Sequence, residues 1–153
     1  MSQSLAAVYV HFVFSTKDRA PILIPEIRPR MFEFIGGLLR HRDCVLLSAN
    51  GVLDHVHPLV SLDRKWSLAN LMRDVKANSS GWIKDEFPTT SALIDFTWQR
   101  GYGAFSIAYP QVNSLSQYIA NQEEHHRGLS FQDEVRKLFR EHNVEFDERY
   151  LWD

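Results

Sequence analysis

With 153 residues, 44% of them hydrophobic and 12% aromatic, the chain can bury a substantial core and is not a disordered segment. A net charge of −2 excludes a surface that is basic all over, and a single cysteine, Cys44, excludes a disulfide framework and suits a reducing compartment. No basic region precedes the first apolar run, and no apolar run approaches the roughly 20 residues of a membrane span, so a soluble cytoplasmic protein is expected.

The charge is unevenly spread. Residues 131–153 hold seven acids and four bases, so the acidity sits in the tail and a local basic surface elsewhere stays possible. Residues 8–15, "VYVHFVFS", alternate as a strand, with Val8, Val10, Phe12 and Phe14 on one face and Tyr9, His11 and Val13 on the other. A polar loop, "TKDRAP", follows. Pro25 and Pro29 mark possible helix starts, and Ile27, Met31, Phe34, Ile35 and Leu38 keep helical spacing. "CVLLSA" reads as a second strand, and Asn50-Gly51 is a hairpin signal that makes "LDHVHPLVSL", residues 53–62, the return strand.

Ser67 is placed to cap a second helix with the stripe Leu68, Leu71, Met72, Val75 and Trp82. "FTWQ" and "YGAFSI" read as strand pieces broken by Arg100-Gly101. After Pro110, Ser114 and Gln117 have capping-box spacing and open a third helix, which Gly128 ends. Ser130 caps a last amphipathic helix carrying Phe131, Val135, Leu138 and Phe139. The order strand, helix, hairpin, helix, strand, helix, helix predicts an α+β fold, an antiparallel sheet with helices on one face.

His55 and His57 are two residues apart on a strand and so share a face. Two neutral imidazoles side by side can bind a divalent metal; two hydrogen-bonded structural histidines are the alternative. Tyr118 and Gln122 are four apart on the third helix and share a face. The Gln122 carbonyl can bind a hard metal, and a phenol can attack phosphorus; packing of Tyr118 with Leu115 and Ile119, and a solvated Gln122, are the alternatives.

The blocks "VYVHFVFSTKDRAPIL", "DHVHPLVSL", "FTWQRGYGAFSIAYPQ" and "QYIANQEEHHR", in this order and at these separations, resemble the single-tyrosine HUH transposases of the smallest bacterial insertion sequences and the related REP-associated transposases. The resemblance covers about residues 6–130, leaving an acidic amphipathic helix and tail over 131–153 of one domain spanning 1–153. It implies a ferredoxin-like core, a bacterial and cytoplasmic homodimer, and cleavage and rejoining of single-stranded DNA, with a hairpin beside the cut. It implies a covalent 5′-phosphotyrosine and Mg²⁺ or Mn²⁺. Residue by residue, His55 and His57 match the HUH histidines, Tyr118 the nucleophile and Gln122 the polar residue completing the metal site. It also implies tyrosine helices that reach the histidines of the partner subunit. A non-catalytic single-stranded DNA or hairpin-binding regulator, and a phosphoesterase without a covalent step, are the competing readings. Pro58 departs from the family's aliphatic residue at that place; it removes a ladder hydrogen bond but leaves both ligands in place, with a shifted His57 and an inactive or slowed relative the alternative.

Lys17 and Arg19 after the first strand, and Arg73, Lys76 and Lys84 on the second helix, are candidate phosphate contacts. His11 is expected to be a core-edge histidine, with an approach to the site from behind its ligands the alternative. Trp98 and Tyr102 are expected in core packing, with base stacking the alternative. His125 and His126 are expected at a solvated helix end.

Overall fold

The computed structural model describes residues 2–149 and 151–153. Its elements in chain order are β1 (Tyr9–Ser15), α1 (Arg28–Arg40), β2 (Val45–Gly51), β3 (His55–Ser61), α2 (Leu68–Glu86), β4 (Gly103–Ile107), α3 (Val112–Ala120), α4 (Gln122–His125) and α5 (Phe131–Glu141). The sheet runs β2-β3-β1-β4 with every neighbouring pair antiparallel. That is the ferredoxin-like arrangement, with two βαβ units interleaved so that β1 and β3 form the centre.

Alternation along β1 decides the layers. Val10, Phe12 and Phe14 join Val56 and Val60 of β3 in the main core, sealed by Met31, Ile35 and Leu39 of α1 and Leu71, Met72 and Val75 of α2. Trp98 lies in the same core against Phe14 and Phe96 and donates its indole N–H to Ser79 Oγ at 2.9 Å.

The opposite face of the sheet is covered as well, where helices on one face only were expected. Val13 and Phe105 form a second cluster with Phe131, Val135, Leu138 and Phe139 of α5, and Phe146, Leu151 and Trp152 close its edge. An apolar sheet face left in water would cost about 25 cal/mol per Å², and the stripe on α5 has the spacing to cover it. The backbone oxygen of Asp153 then accepts from the Arg100 and Gly101 amides at 2.9 and 3.2 Å.

Several local readings change. The hairpin turn lies at residues 52–54, and Asn50 and Gly51 are still paired with His57 and Val56. Gly51 serves close approach, since a Cβ there would lie 2.4 Å from the His55 carbonyl. Ser114 lies inside α3, bonding back to Gln111 O, and α3 stops at Ala120, well before Gly128. Ser67 and Ser130 do cap their helices, accepting from Asn70 N and Asp133 N, each at 3.1 Å. Pro58 sits inside the central strand β3, yet the register is the same on both sides of it: His11 faces Leu59 and Phe14 faces Val56. His57 is therefore not displaced from the face it shares with His55.

Candidate metal and nucleophile site

The two strand histidines point to the second face, beneath α5, and both are fully buried. Each has one ring nitrogen held from behind. Asp54 Oδ1 lies 2.7 Å from His55 Nδ1, and His11 Nε2 lies 2.9 Å from His57 Nδ1. Both rings therefore turn Nε2 to the same point. A carboxylate or a second ring behind a histidine fixes its tautomer and aims its free nitrogen, the arrangement found behind metal-bound imidazoles.

That point is filled by Glu134 of α5, fully buried itself. Its Oε1 lies 2.7 Å from His57 Nε2, 3.3 Å from His55 Nε2 and 3.2 Å from His126 Nε2. The contact with His55 is off hydrogen-bond geometry, so His55 Nε2 has no hydrogen-bond partner although buried. His126 has its Nδ1 at the Leu129 carbonyl, which leaves Nε2 for the cluster. Three imidazoles thus converge on one carboxylate.

The electrostatics follow from burial and pairing. Burial alone would raise the Glu134 pKa, but contacts with His126, His55 and His57 overcome it and hold the carboxyl well below the usual range. Burial pushes His57 down and keeps it neutral, and it takes His11 down to about 3, with His57 adding to the effect. His55 runs the other way: burial lowers its pKa, yet Asp54 and Glu134 together raise it.

The ligand atoms of His55, His57, His126 and Glu134 all lie within 4.8 Å of one another, so this group could hold a metal ion. Ligand atoms about 2.0–2.2 Å from a common ion are spaced on that scale. The unpartnered His55 nitrogen is the atom such an ion would satisfy, and three nitrogens with one carboxylate oxygen suit a divalent transition ion.

Tyr118, near the end of α3, donates its hydroxyl in a short hydrogen bond to Glu134 Oε2. Burial, then the carboxylate beside it, raise its pKa above the ordinary phenol value. The ring stacks on His125 with centroids 4.4 Å apart and planes 29° from parallel. A break at Asn121, with ψ 27°, separates α3 from α4. It turns Gln122 fully inward, with Oε1 3.2 Å from His126 Nε2. Asn50 Nδ2 donates to the Ala120 carbonyl at 2.9 Å and ties the end of α3 to β2. Tyr118 lies beside the histidines of its own chain, its ring centroid 6.3 Å from that of His57.

The structure brings His55, His57, Tyr118 and Gln122 together at one place. His125 and His126, expected at a solvated helix end, face Tyr118 and Glu134 instead. Sequence reading passed over Glu134 altogether. It lies three residues after Phe131 and four before Leu138 on the apolar stripe of α5, and an acid in such a stripe is the signal that could have found it.

The candidate phosphate contacts lie elsewhere. Lys17 is exposed, and the Arg19 guanidinium stands over the Trp152 ring at 5.9 Å. Arg73 is exposed. The Lys76 ammonium donates to the carbonyls of Gln99, Arg100 and Gly101 at 3.0, 3.2 and 2.6 Å, and burial lowers its pKa to about 8. Arg73, Lys76, Arg100 and Tyr102 line an open cavity of about 400 Å³. Among the described residues, no helix is long and apolar enough to cross a membrane.

Comparison with known proteins gives the fold and the family. Two solved structures share the fold. One is a candidate transposase from Deinococcus radiodurans R1, at TM-score 0.63 and 18% identity, covering 80% of this chain and 98% of that one. The other is a REP-associated tyrosine transposase bound to a REP hairpin, at TM-score 0.57 and 14% identity, covering 82% of this chain and 74% of that one. Among curated proteins, none matches the chain in sequence. The profile of the family described as "Transposase IS200 like" matches residues 4–122, most of the chain, and the chain belongs to that family of transposases.

Proposed function

We propose that this transposase cuts and rejoins single-stranded DNA through a covalent bond between Tyr118 and the 5′ phosphate at the cut. One observation carries the reading. The Tyr118 hydroxyl and the imidazoles of His55, His57 and His126 all converge on the Glu134 carboxylate. A nucleophile and a set of metal-binding nitrogens thus stand one carboxyl group apart. In the reaction the phenol oxygen bonds to phosphorus and the bond to the 3′ oxygen breaks. That leaves a 3′ hydroxyl and a phosphotyrosine whose ester energy serves the rejoining step.

His55 and His57 would hold a divalent ion, Mg²⁺ or Mn²⁺, with the Gln122 oxygen, the His126 imidazole and the Glu134 carboxylate around the same point. When bound, the ion supplies Lewis acidity toward a phosphate oxygen. Asp54 and His11 orient the two strand imidazoles. The substrate class, single-stranded DNA beside a hairpin, is supported by family membership and by the hairpin bound to the REP-associated relative. Lys17, Arg19 and Arg73 are available to phosphates; Lys76 could contribute only by leaving its three carbonyls. A homodimer accompanies the family resemblance, and each subunit would then carry a complete site, because Tyr118 meets its own chain's histidines.

Trapping tests the reading. Wild-type protein with Mn²⁺ and hairpin-bearing single-stranded DNA should give a protein–DNA adduct that Tyr118→Phe abolishes. Hairpin binding with no adduct from wild type would instead support a non-catalytic DNA-binding regulator.

A further inference from the structure

Glu134 belongs to none of the four sequence blocks that resemble HUH transposases, and it lies beyond residues 4–122 of the family match. A buried carboxylate is expensive unless several partners meet it. This one has hydrogen bonds from His57 and His126 on Oε1 and from the Tyr118 phenol on Oε2, with His55 Nε2 3.3 Å from Oε1 beside them. The division of labour between the two oxygens is what distinguishes Glu134.

We propose that Glu134 is the positioning residue for Tyr118, its Oε2 fixing the phenolic oxygen beside the imidazole cluster while His125 fixes the plane of the ring. The inference rests on Tyr118 being the nucleophile. A tyrosine ring near a helix end can turn about its side-chain bonds, and two contacts stop it. The His125 stack sets the ring's tilt, and the bond to Glu134 sets how far the hydroxyl reaches. These contacts come from α4 and α5, so the nucleophile is held from two directions. A cavity of about 290 Å³ opens beside the pair, lined by His11, Tyr118, Glu134, Lys137 and His142 among others, and gives a phosphate a route to the phenol. Misplacing a reacting atom by about 1 Å can cost on the order of 100-fold in rate.

Reach separates this role from a role for charge. In Glu134→Gln the side chain keeps its length, and the amide still accepts from, or donates to, the phenol oxygen. In Glu134→Asp the charge stays but the side chain is one methylene shorter. Single-turnover adduct formation at saturating Mn²⁺ and DNA should fall about 100-fold in Glu134→Ala and Glu134→Asp. It should recover to within about 10-fold of wild type in Glu134→Gln. An aspartate variant as fast as, or faster than, the glutamine variant would overturn the proposal, as would an alanine variant at the wild-type rate.

A second readout needs no reaction. In protein labelled with 3-fluorotyrosine, the Tyr118 signal is the fluorine resonance lost in Tyr118→Phe. It should shift in Glu134→Ala and stay near its wild-type position in Glu134→Gln; a signal indifferent to Glu134→Ala sinks the idea. If wild type forms no adduct, or Tyr118→Phe still does, the nucleophile reading fails instead, and the fluorine signal alone then decides whether Glu134 holds Tyr118.

Discussion

Tyr118 and Glu134, sixteen residues apart in the chain, share a hydrogen bond that joins the end of α3 to the first turn of α5 directly beside His57. Through it the second face of the sheet carries its imidazoles, its carboxylate and its phenol as one connected unit. The consequences can be measured residue by residue.

Metal dependence comes first. Chelation with EDTA should abolish adduct formation, and His57→Ala should do the same while leaving single-stranded DNA binding within about 3-fold, because exposed cations such as Lys17 and Arg73 lie away from the cluster. Gel-shift and trapping assays on one substrate separate the two effects. Full cleavage in EDTA would remove the metal from the mechanism.

The covalent link should fall on Tyr118 alone. Mass spectrometry of a trapped and digested adduct should find the 5′ phosphate on the peptide containing residue 118, with a free 3′ hydroxyl on the other fragment. A phosphate on another side chain, or a 3′-phosphotyrosine, would contradict the proposed chemistry.

The mixing experiment tests which chain supplies the tyrosine. Tyr118→Phe and His57→Ala proteins should each be inactive, and a heterodimer of the two should stay inactive, because each site keeps one lesion when Tyr118 serves its own chain. Recovered activity in a verified heterodimer would mean that the helices exchange between subunits.

Gly51→Ala should damage the hairpin that carries both strand histidines. The added methyl would meet the His55 carbonyl at 2.4 Å, and relief requires backbone movement at a ligand. A loss of about 1–3 kcal/mol is expected by analogy with overpacked cores, with weaker Mn²⁺ binding in calorimetry. Wild-type stability and wild-type affinity together would show that the strand ends adjust freely.

Lys76→Met should destabilise the fold, because the ammonium satisfies three carbonyls of the 99–101 loop. Two of the three bonds are at the surface, where water can replace the ammonium, so the loss should be about 0.5–1.5 kcal/mol, the usual net worth of a hydrogen bond, readable as a lower urea midpoint. If stability holds and DNA binding falls instead, Lys76 is serving phosphates.

The sequence by itself determined the sheet and the nearest neighbours on it. Period-two alternation put Phe12 and Phe14 on one face and His11 on the other, and the spacing of His55 and His57 made them neighbours whatever lay beyond the strand. The caps Ser67 and Ser130 were equally legible, since an N-cap bond closes within three residues. Other features depended on contacts that no local pattern encodes. The hairpin turn moved past Asn50-Gly51 because cross-strand pairing continued through both residues. The second face needed a cover, and only packing showed that α5 supplies it. That docking brings Glu134 to imidazoles 77 and 79 positions away in sequence and turns His126 inward. Periodicity reports which face a side chain takes on its own element. What that face meets is decided by burial, because a carboxylate can enter an apolar layer only where enough donors already converge to hold it.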